Sequence, residues 1–269
     1  MGELEIRNTA KRTNDLVDAI GNVMESGTLS FKEGQVLRGK LGFAQAQLFG
    51  LSGKHVLQQL SEHTFAVPFR NQLSEVLRDS LAEFSDKLKQ GGPRIGTRSA
   101  RHTKFLLTDA SFDVSGSGGI GGVLCDQDGG TMSWFQRSLS SEDVNYFKQK
   151  DHENAIAELE ALAVLVAIRL WNPVLMSQHV VVGLDNDVVR YCFIKGYCKA
   201  KGVCALVRLA ARLLESSMIL PWFLRVASAS NIADFPSRSK PHVALLPCLE
   251  VEAKSVKECL DDLLADLFP

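Results

Sequence analysis

Phe105-Leu106-Leu107-Thr108-Asp109-Ala110-Ser111 sets a carboxylate inside an apolar run. The pattern predicts a buried strand, and a charge there is costly without a partner or a metal ion. Side chains alternate along a strand, so Asp109, Ser111 and Asp113 share one face. Three later segments also place acids at the edge of apolar elements. They are Glu158-Leu159-Glu160-Ala161, Leu184-Asp185-Asn186 and Asn231-Ile232-Ala233-Asp234-Phe235-Pro236-Ser237-Arg238. Taken singly, Asp187 and Asp234 read as helix caps and Glu160 as a solvated or peripheral residue. Asp109 is the hardest to explain as structure alone, and the four segments together are far more specific than any one.

Working outward, Ser115 to Gly119 is a Gly/Ser-rich turn, and Ile120 to Leu124 and Thr131 to Phe135 complete an antiparallel meander. A helix is expected from about Asn154 to Trp171. Val180 to Leu184 reads as a buried strand. Helices fit 187–195 and 203–217, Leu220 to Val226 fits a last strand, and Asn231 to Ser237 starts a short helix. This order implies a mixed sheet flanked by helices.

The chain before this region reads as helices. Leu16, Ile20 and Val23 recur at helical spacing, and Gly27 is a C-cap candidate. Ser30-Phe31-Lys32-Glu33 is a capping box opening a helix with Val36, Leu37, Leu41, Phe43, Ala44 and Leu48 on one broad face, which Gly50 and Gly53 break. Residues 54–62 and 70–89 continue the pattern, and no strand alternation is visible before residue 100. The expected organisation is a helical region over 1–90, a Gly/Pro/Arg-rich linker over 91–103, an α/β domain over 104–240, and a tail over 241–269 ending in an amphipathic helix.

Bulk properties exclude several classes. Apolar residues make up 45% and charged residues 23%, ordinary for a globular protein. No apolar run reaches the roughly 18 residues that span a bilayer. The N-terminus lacks the basic and apolar regions of a secretory signal, so an intracellular protein of nucleus or cytoplasm is expected. Net charge is −1, but residues 1–104 hold 15 Lys/Arg against 11 Asp/Glu, and the remainder holds 15 against 20. An acidic second part suits a phosphate ligand only if metal ions neutralise its site. The six cysteines form no C-x-x-C pair, and the six-residue steps between Cys192, Cys198 and Cys204 suit neither a zinc knuckle nor a helix face, so all six read as buried reduced thiols.

Separated carboxylates converging on a sheet edge suit hard divalent cations, which take oxygen ligands. Two-metal hydrolysis uses cations roughly 4 Å apart, one activating water and one steadying the leaving oxygen. Asp185 stands at the carboxyl end of a strand, where open α/β sheets place ligands. Glu158 and Glu160 lie two positions apart, about 200° round a helix, so one of them serves such a site. Glu158 is the expected one.

The motif set resembles the ribonuclease H domain of retroelement reverse transcriptases over about 105–240. The asparagine after the third acid and the N-x-A-D-x-x-S-R ending are most similar to DIRS-type elements. The resemblance implies a ribonuclease-H-like fold with a five-stranded mixed sheet, and cleavage of the RNA strand of RNA–DNA hybrids to 5′-phosphomonoesters. It implies two Mg²⁺ ions, with Mn²⁺ as an alternative, held by Asp109, Glu158, Asp185 and Asp234. Asp109 and Asp185 would bridge the metals, Glu158 would bind the water-holding one, and Asp234 would complete the second site. Ser111, Asn186, Lys195, Lys199, Lys201 and Arg238 are expected at the nucleic acid. Leu37 to Gly50 looks like the thumb or connection that follows the polymerase palm. No Tyr-x-Asp-Asp is present, so a palm domain or another chain of the element is an expected partner. The loop before Asp234 lacks the histidine of cellular ribonucleases H, and His242 follows the acid instead. Two alternatives stay open: a non-catalytic nucleic-acid-binding remnant of the same fold, and a different nuclease on it. Ser111 stands where exonucleases of this type have Glu, which counts against the second.

Overall fold

The computed structural model describes residues 3–45, 52–92, 94–97, 103–147 and 154–267. They belong to two units, Met1–Ala100 and Arg101–Pro269. The first runs β1 (Glu3–Ile6), α1 (Ala10–Ser26), α2 (Phe31–Ala44), α3 (Ser52–Thr64), α4 (Glu75–Gln90) and β2 (Arg94–Thr97). Helix α1 stops at Gly27, whose left-handed φ of 67° lets its N–H return to the Val23 carbonyl. Helix α2 opens with the expected box: Ser30 Oγ accepts from the Glu33 N–H, and the Glu33 carboxylate accepts from the Ser30 N–H at 3.0 Å. Leu16, Ile20, Leu37, Leu41, Leu60, Leu77, Leu81 and Phe84 form the core of this unit.

Two expectations change here. The buried stripe of α2 is Leu37, Leu41 and Ala44, which leaves Val36 and Phe43 exposed; Leu48 and Gly50 lie outside the described residues. Strands do precede residue 100: β1 and β2 pair antiparallel, with Glu5 opposite Ile95. Each strand is four residues long, too short for alternation to stand out, and β2 lies inside the stretch expected as linker.

The second unit begins with β3 (Thr103–Phe112), β4 (Gly118–Cys125) and β5 (Thr131–Leu139), followed by α5 (Ser141–Phe147), α6 (Ile156–Leu170) and α7 (Asn172–Leu175). Then come β6 (His179–Leu184), α8 (Asp187–Lys195), α9 (Lys201–Ser216), β7 (Leu220–Arg225), α10 (Asp234–Ser237), β8 (Leu249–Glu250) and α11 (Ala253–Leu267). The sheet order is β7-β6-β3-β4-β5-β8. Strands β3, β4 and β5 form the antiparallel meander, β6 and β7 run parallel to β3, and two-residue β8 runs parallel to β5. This is the mixed α/β class expected, a sheet flanked by helices, with β8 as a sixth strand.

Helix α6 is apolar on nearly every side, and Glu158 through Ile168 are all buried. Such a helix belongs inside the fold, and it packs against β3, β4, α9 and α11. The opposite sheet face carries Val123, Trp134, Ala233 and Leu245, joined by Phe105 and Leu107. The tail helix α11 buries Val256, Cys259, Leu260 and Leu263, so its apolar stripe is used in packing. All six cysteines are free, though only Cys125, Cys192 and Cys259 are fully buried. Cys192 and Cys204 both bring their thiols within hydrogen-bonding reach of Cys198 at the α8–α9 corner.

Candidate active site

Asp109 sits on β3 opposite Gly121 of β4, and is buried. Helix α10 lies directly on that part of the sheet. A Cβ at Gly121 would stand 2.4 Å from the Ser237 backbone nitrogen, and one at Gly119 would stand 2.1 Å from the Ser237 carbonyl oxygen. Only glycine at these alternate positions permits the approach. The approach sets the Ser237 hydroxyl to donate to Asp109 Oδ2 at 2.6 Å. Ser111 Oγ donates to the Ser237 carbonyl at 2.7 Å, and buried Asn231 Nδ2 donates to the Thr108 carbonyl at 3.0 Å. The last motif is thus tied to β3 at both of its ends, which places Asp234 beside Asp109. Asp234 Oδ1 accepts from Arg238 Nε at 2.9 Å and Nη2 at 2.7 Å.

Asp185 follows the last residue of β6 and is half-buried. Asn186 caps α8, its Oδ1 accepting from the Val188 and Val189 N–H groups at 2.9 and 3.3 Å. Its Nδ2 donates to Glu160 Oε1 at 3.2 Å. Glu160 therefore faces Asp185 and Asp109 from α6. It is 6% exposed, and its Oε2 is buried with no hydrogen-bond partner among the described residues.

One sequence expectation changes here. Glu160 is neither solvated nor peripheral. Glu158, two positions back and also buried, points elsewhere: a Cβ on Gly202 would lie 3.3 Å from its Oε1. It stands at the first turn of α9, whose cap residue Ala200 makes no side-chain cap bond. A carboxylate is favoured there by the positive end of the helix dipole. Both glutamates are buried on an apolar helix, so burial alone does not choose between them.

The cluster is electrostatically strained. Burial first, then repulsion from Asp185 and Asp234, pushes the Asp109 carboxyl up to about 6 against the opposing Ser237 hydrogen bond and Arg238 charge. Burial first, then Asp185 and Asp109, pushes Glu160 up to about 8 against the opposing Asn186 bond. The charged forms of both are therefore disfavoured.

Among the described residues, no group of three or more His, Cys, Asp or Glu side chains is arranged to hold a metal ion as it stands. The residues nonetheless fit a hard divalent cation. Their donors are all oxygens, Glu160 Oε2 has no partner, and a cation would relieve the repulsion that raises Asp109 and Glu160.

The residues expected at the nucleic acid divide into two groups. Ser111 and Asn186 engage their polar groups within the chain, so both position the site from inside. Lys195, Lys199 and Lys201 are exposed around the α8–α9 corner, and Lys195 Nζ stands 5.9 Å from the Tyr191 ring centre. Arg238 is exposed but paired with Asp234. Asp187 is held by Arg190 at 2.8 Å and by Arg225, which makes it a local ion-pair partner as well as a first-turn acid of α8. The His242 ring packs on Phe235, with centroids 4.8 Å apart, and its Nδ1 accepts from the Ala244 N–H. Sequence reasoning missed Ser237 as the partner of Asp109 and missed the glycine track. Its visible signal was Gly118-Gly119-Ile120-Gly121-Gly122, glycines within a strand where a backbone comes close.

No family model matches the chain, and no curated protein matches it in sequence. Solved structures do resemble it. The N-terminal ribonuclease H domain of rv2228c from Mycobacterium tuberculosis, fused to maltose binding protein, is 14% identical with a TM-score of 0.43, over 54% of this chain and 98% of that one. RNase H1 of Halobacterium salinarum is 16% identical, TM-score 0.41, over 52% and 96%. The foamy viral protease-reverse transcriptase, solved with an RNA/DNA hybrid, is 15% identical, TM-score 0.38, over 68% of this chain and 28% of that one. Among the described residues, no helix is long and apolar enough to cross a membrane.

Proposed function

We propose that residues 103–267 are a divalent-metal-dependent endonuclease that hydrolyses the RNA strand of RNA–DNA hybrids, leaving 5′-phosphomonoesters. The observation that carries this reading is the meeting of Asp109, Glu160, Asp185 and Asp234 from four separate elements. Two of the four are buried and pushed towards the protonated form. Such a set is unfavourable in a fold by itself and is explained by a cationic ligand.

Asp109, Asp185, Asp234 and Glu160 would hold Mg²⁺, two ions by the resemblance, or Mn²⁺. Glu160 takes the place the sequence assigned to Glu158. When bound, the ions would supply an activated water and stabilise charge on the phosphodiester. The chain's own residues do the positioning. Ser237 fixes the Asp109 carboxyl, Asn186 turns Glu160 inward, and Asn231 anchors the loop that delivers Asp234. Lys195, Lys199 and Lys201 supply positive charge for the hybrid backbone, whose binding weakens with salt. Hybrid recognition rests on shape and 2′-hydroxyls rather than base sequence. By its motif endings the chain belongs to a DIRS-like retroelement, with residues 1–90 as thumb or connection and a polymerase palm, or another chain of the element, as partner.

The test is cleavage of a labelled RNA–DNA hybrid with Mg²⁺ and with Mn²⁺, alongside Asp109→Asn. RNA-strand products from the wild type alone support the proposal. A wild type that binds hybrid without cutting it points to the inactive remnant. Equal cleavage by the variant removes the carboxylate site from the explanation.

A further inference from the structure

The carboxylate cluster already has a cation beside it. Arg238 directs Nε and Nη2 to one oxygen of Asp234, at 2.9 and 2.7 Å. Its positive charge also acts on Asp109 and Asp185. The backbone at this point is pinned, because the preceding residue, Ser237, rests on Gly119 and Gly121. The Arg238 side chain is less constrained than its backbone: it is 56% exposed.

We infer that Arg238 is the resident counter-cation of this cluster and competes with the divalent metal for Asp234. The inference rests on the metal-dependent reading above and deepens it. Arg238 occupies Oδ1 of Asp234, and its charge repels a divalent cation approaching either oxygen, so metal binding is weakened until Arg238 lets go. The exchange is easy, since an exposed ion pair of this kind is weak. Once released, the same side chain is free to face a phosphate, which is the role its motif position suggests. Arg238 is therefore a positioning residue that sets the metal concentration at which the site fills.

The test is titration calorimetry of the metal-stripped full chain with Mg²⁺ and with Mn²⁺, without nucleic acid, for wild type, Arg238→Gln and Arg238→Lys. Removing the charge should tighten metal binding, by up to about fivefold, while Arg238→Lys stays close to wild type. The gain should shrink as salt rises, because screening weakens the competing charge. Unchanged or weaker binding by Arg238→Gln, with a wild type that does bind metal, overturns the competition and leaves the metal reading standing. No binding by any of the three proteins overturns both.

Discussion

Ser237 donates its hydroxyl to Asp109 Oδ2 at 2.6 Å, joining residues 128 positions apart in the chain. The bond is buried, and it holds the two ends of the candidate site together. It also opposes the rise in the Asp109 pKa that burial causes. The bond is stronger to a charged acceptor than to a neutral one. Ser237→Ala should therefore cost about 1 kcal/mol below the Asp109 titration and nearer 2–3 kcal/mol above it. Urea denaturation at pH 5 and at pH 8, without metal, measures the difference.

The two raised acids predict a direction for stability against pH. Asp109 moves from 3.8 to about 6 and Glu160 from 4.5 to about 8 on folding. Both unfolded values lie lower, so between about pH 4 and pH 8 the unfolded chain has lost protons that the folded chain keeps. Stability is fully present below pH 4 as far as these groups are concerned, and falls as pH rises through 6 and then 8. Glu160→Gln should flatten the upper part of that fall and stabilise the metal-free protein at pH 8. Added Mg²⁺ should reverse the fall in the wild type, because it favours the charged forms. Melting temperatures across pH 4 to 9, with metal and with chelator, read both effects. A flat profile for the metal-free wild type would sink the strained-cluster account.

Much of this was legible in the sequence, and the misses have physical causes. A carboxylate inside Phe105–Ser111 has no structural excuse, so Asp109 stood out at once. Helix α8 runs over Asp187–Lys195 as its periodicity predicts, with caps at both ends. The choice between Glu158 and Glu160 was not legible, because α6 is apolar all round and offers no polar face to mark inside from outside. The placement of α9 and of Asn186 separates the two side chains, and those are tertiary facts. β1 and β2 escaped because a four-residue pair carries almost no pattern, and the long-range partner supplies the evidence. The α8–α9 corner likewise gathers three cysteines whose spacing in sequence suggests nothing.

Glu160 and Glu158 can be separated by experiment. Glu160→Gln removes an oxygen donor facing Asp185 and Asp109, and should lower hybrid cleavage at saturating Mg²⁺ by about a hundredfold or more. Glu158→Gln leaves that cluster intact and weakens only the anionic contact at the start of α9, a stability loss of about 0.5–1 kcal/mol. Its cleavage rate should stay close to wild type. Rates and urea midpoints for both variants decide the matter, and a larger rate loss in Glu158→Gln would restore the assignment made from sequence.

Gly121→Ala tests whether the close seat of α10 on β4 builds the site. The added methyl would stand 2.4 Å from the Ser237 backbone nitrogen and 2.8 Å from the Pro236 carbonyl carbon. These are backbone atoms, so no side chain can swing aside to make room. Helix α10 must lift from the sheet, which stretches the Ser237–Asp109 bond and carries Asp234 away from Asp109. Overpacking of this kind costs about 1–3 kcal/mol. The functional loss should exceed what that instability explains: at 15 °C, where the variant remains folded by circular dichroism, Mg²⁺ binding should weaken and hybrid cleavage should fall together. Gly129→Ala is the control, since a Cβ there meets nothing within 4 Å although its φ of 81° still penalises alanine. That variant should lose stability without losing metal affinity. If Gly121→Ala kept wild-type affinity for Mg²⁺, the position of α10 would not matter to the site, and Asp234 would have to be removed from the ligand set.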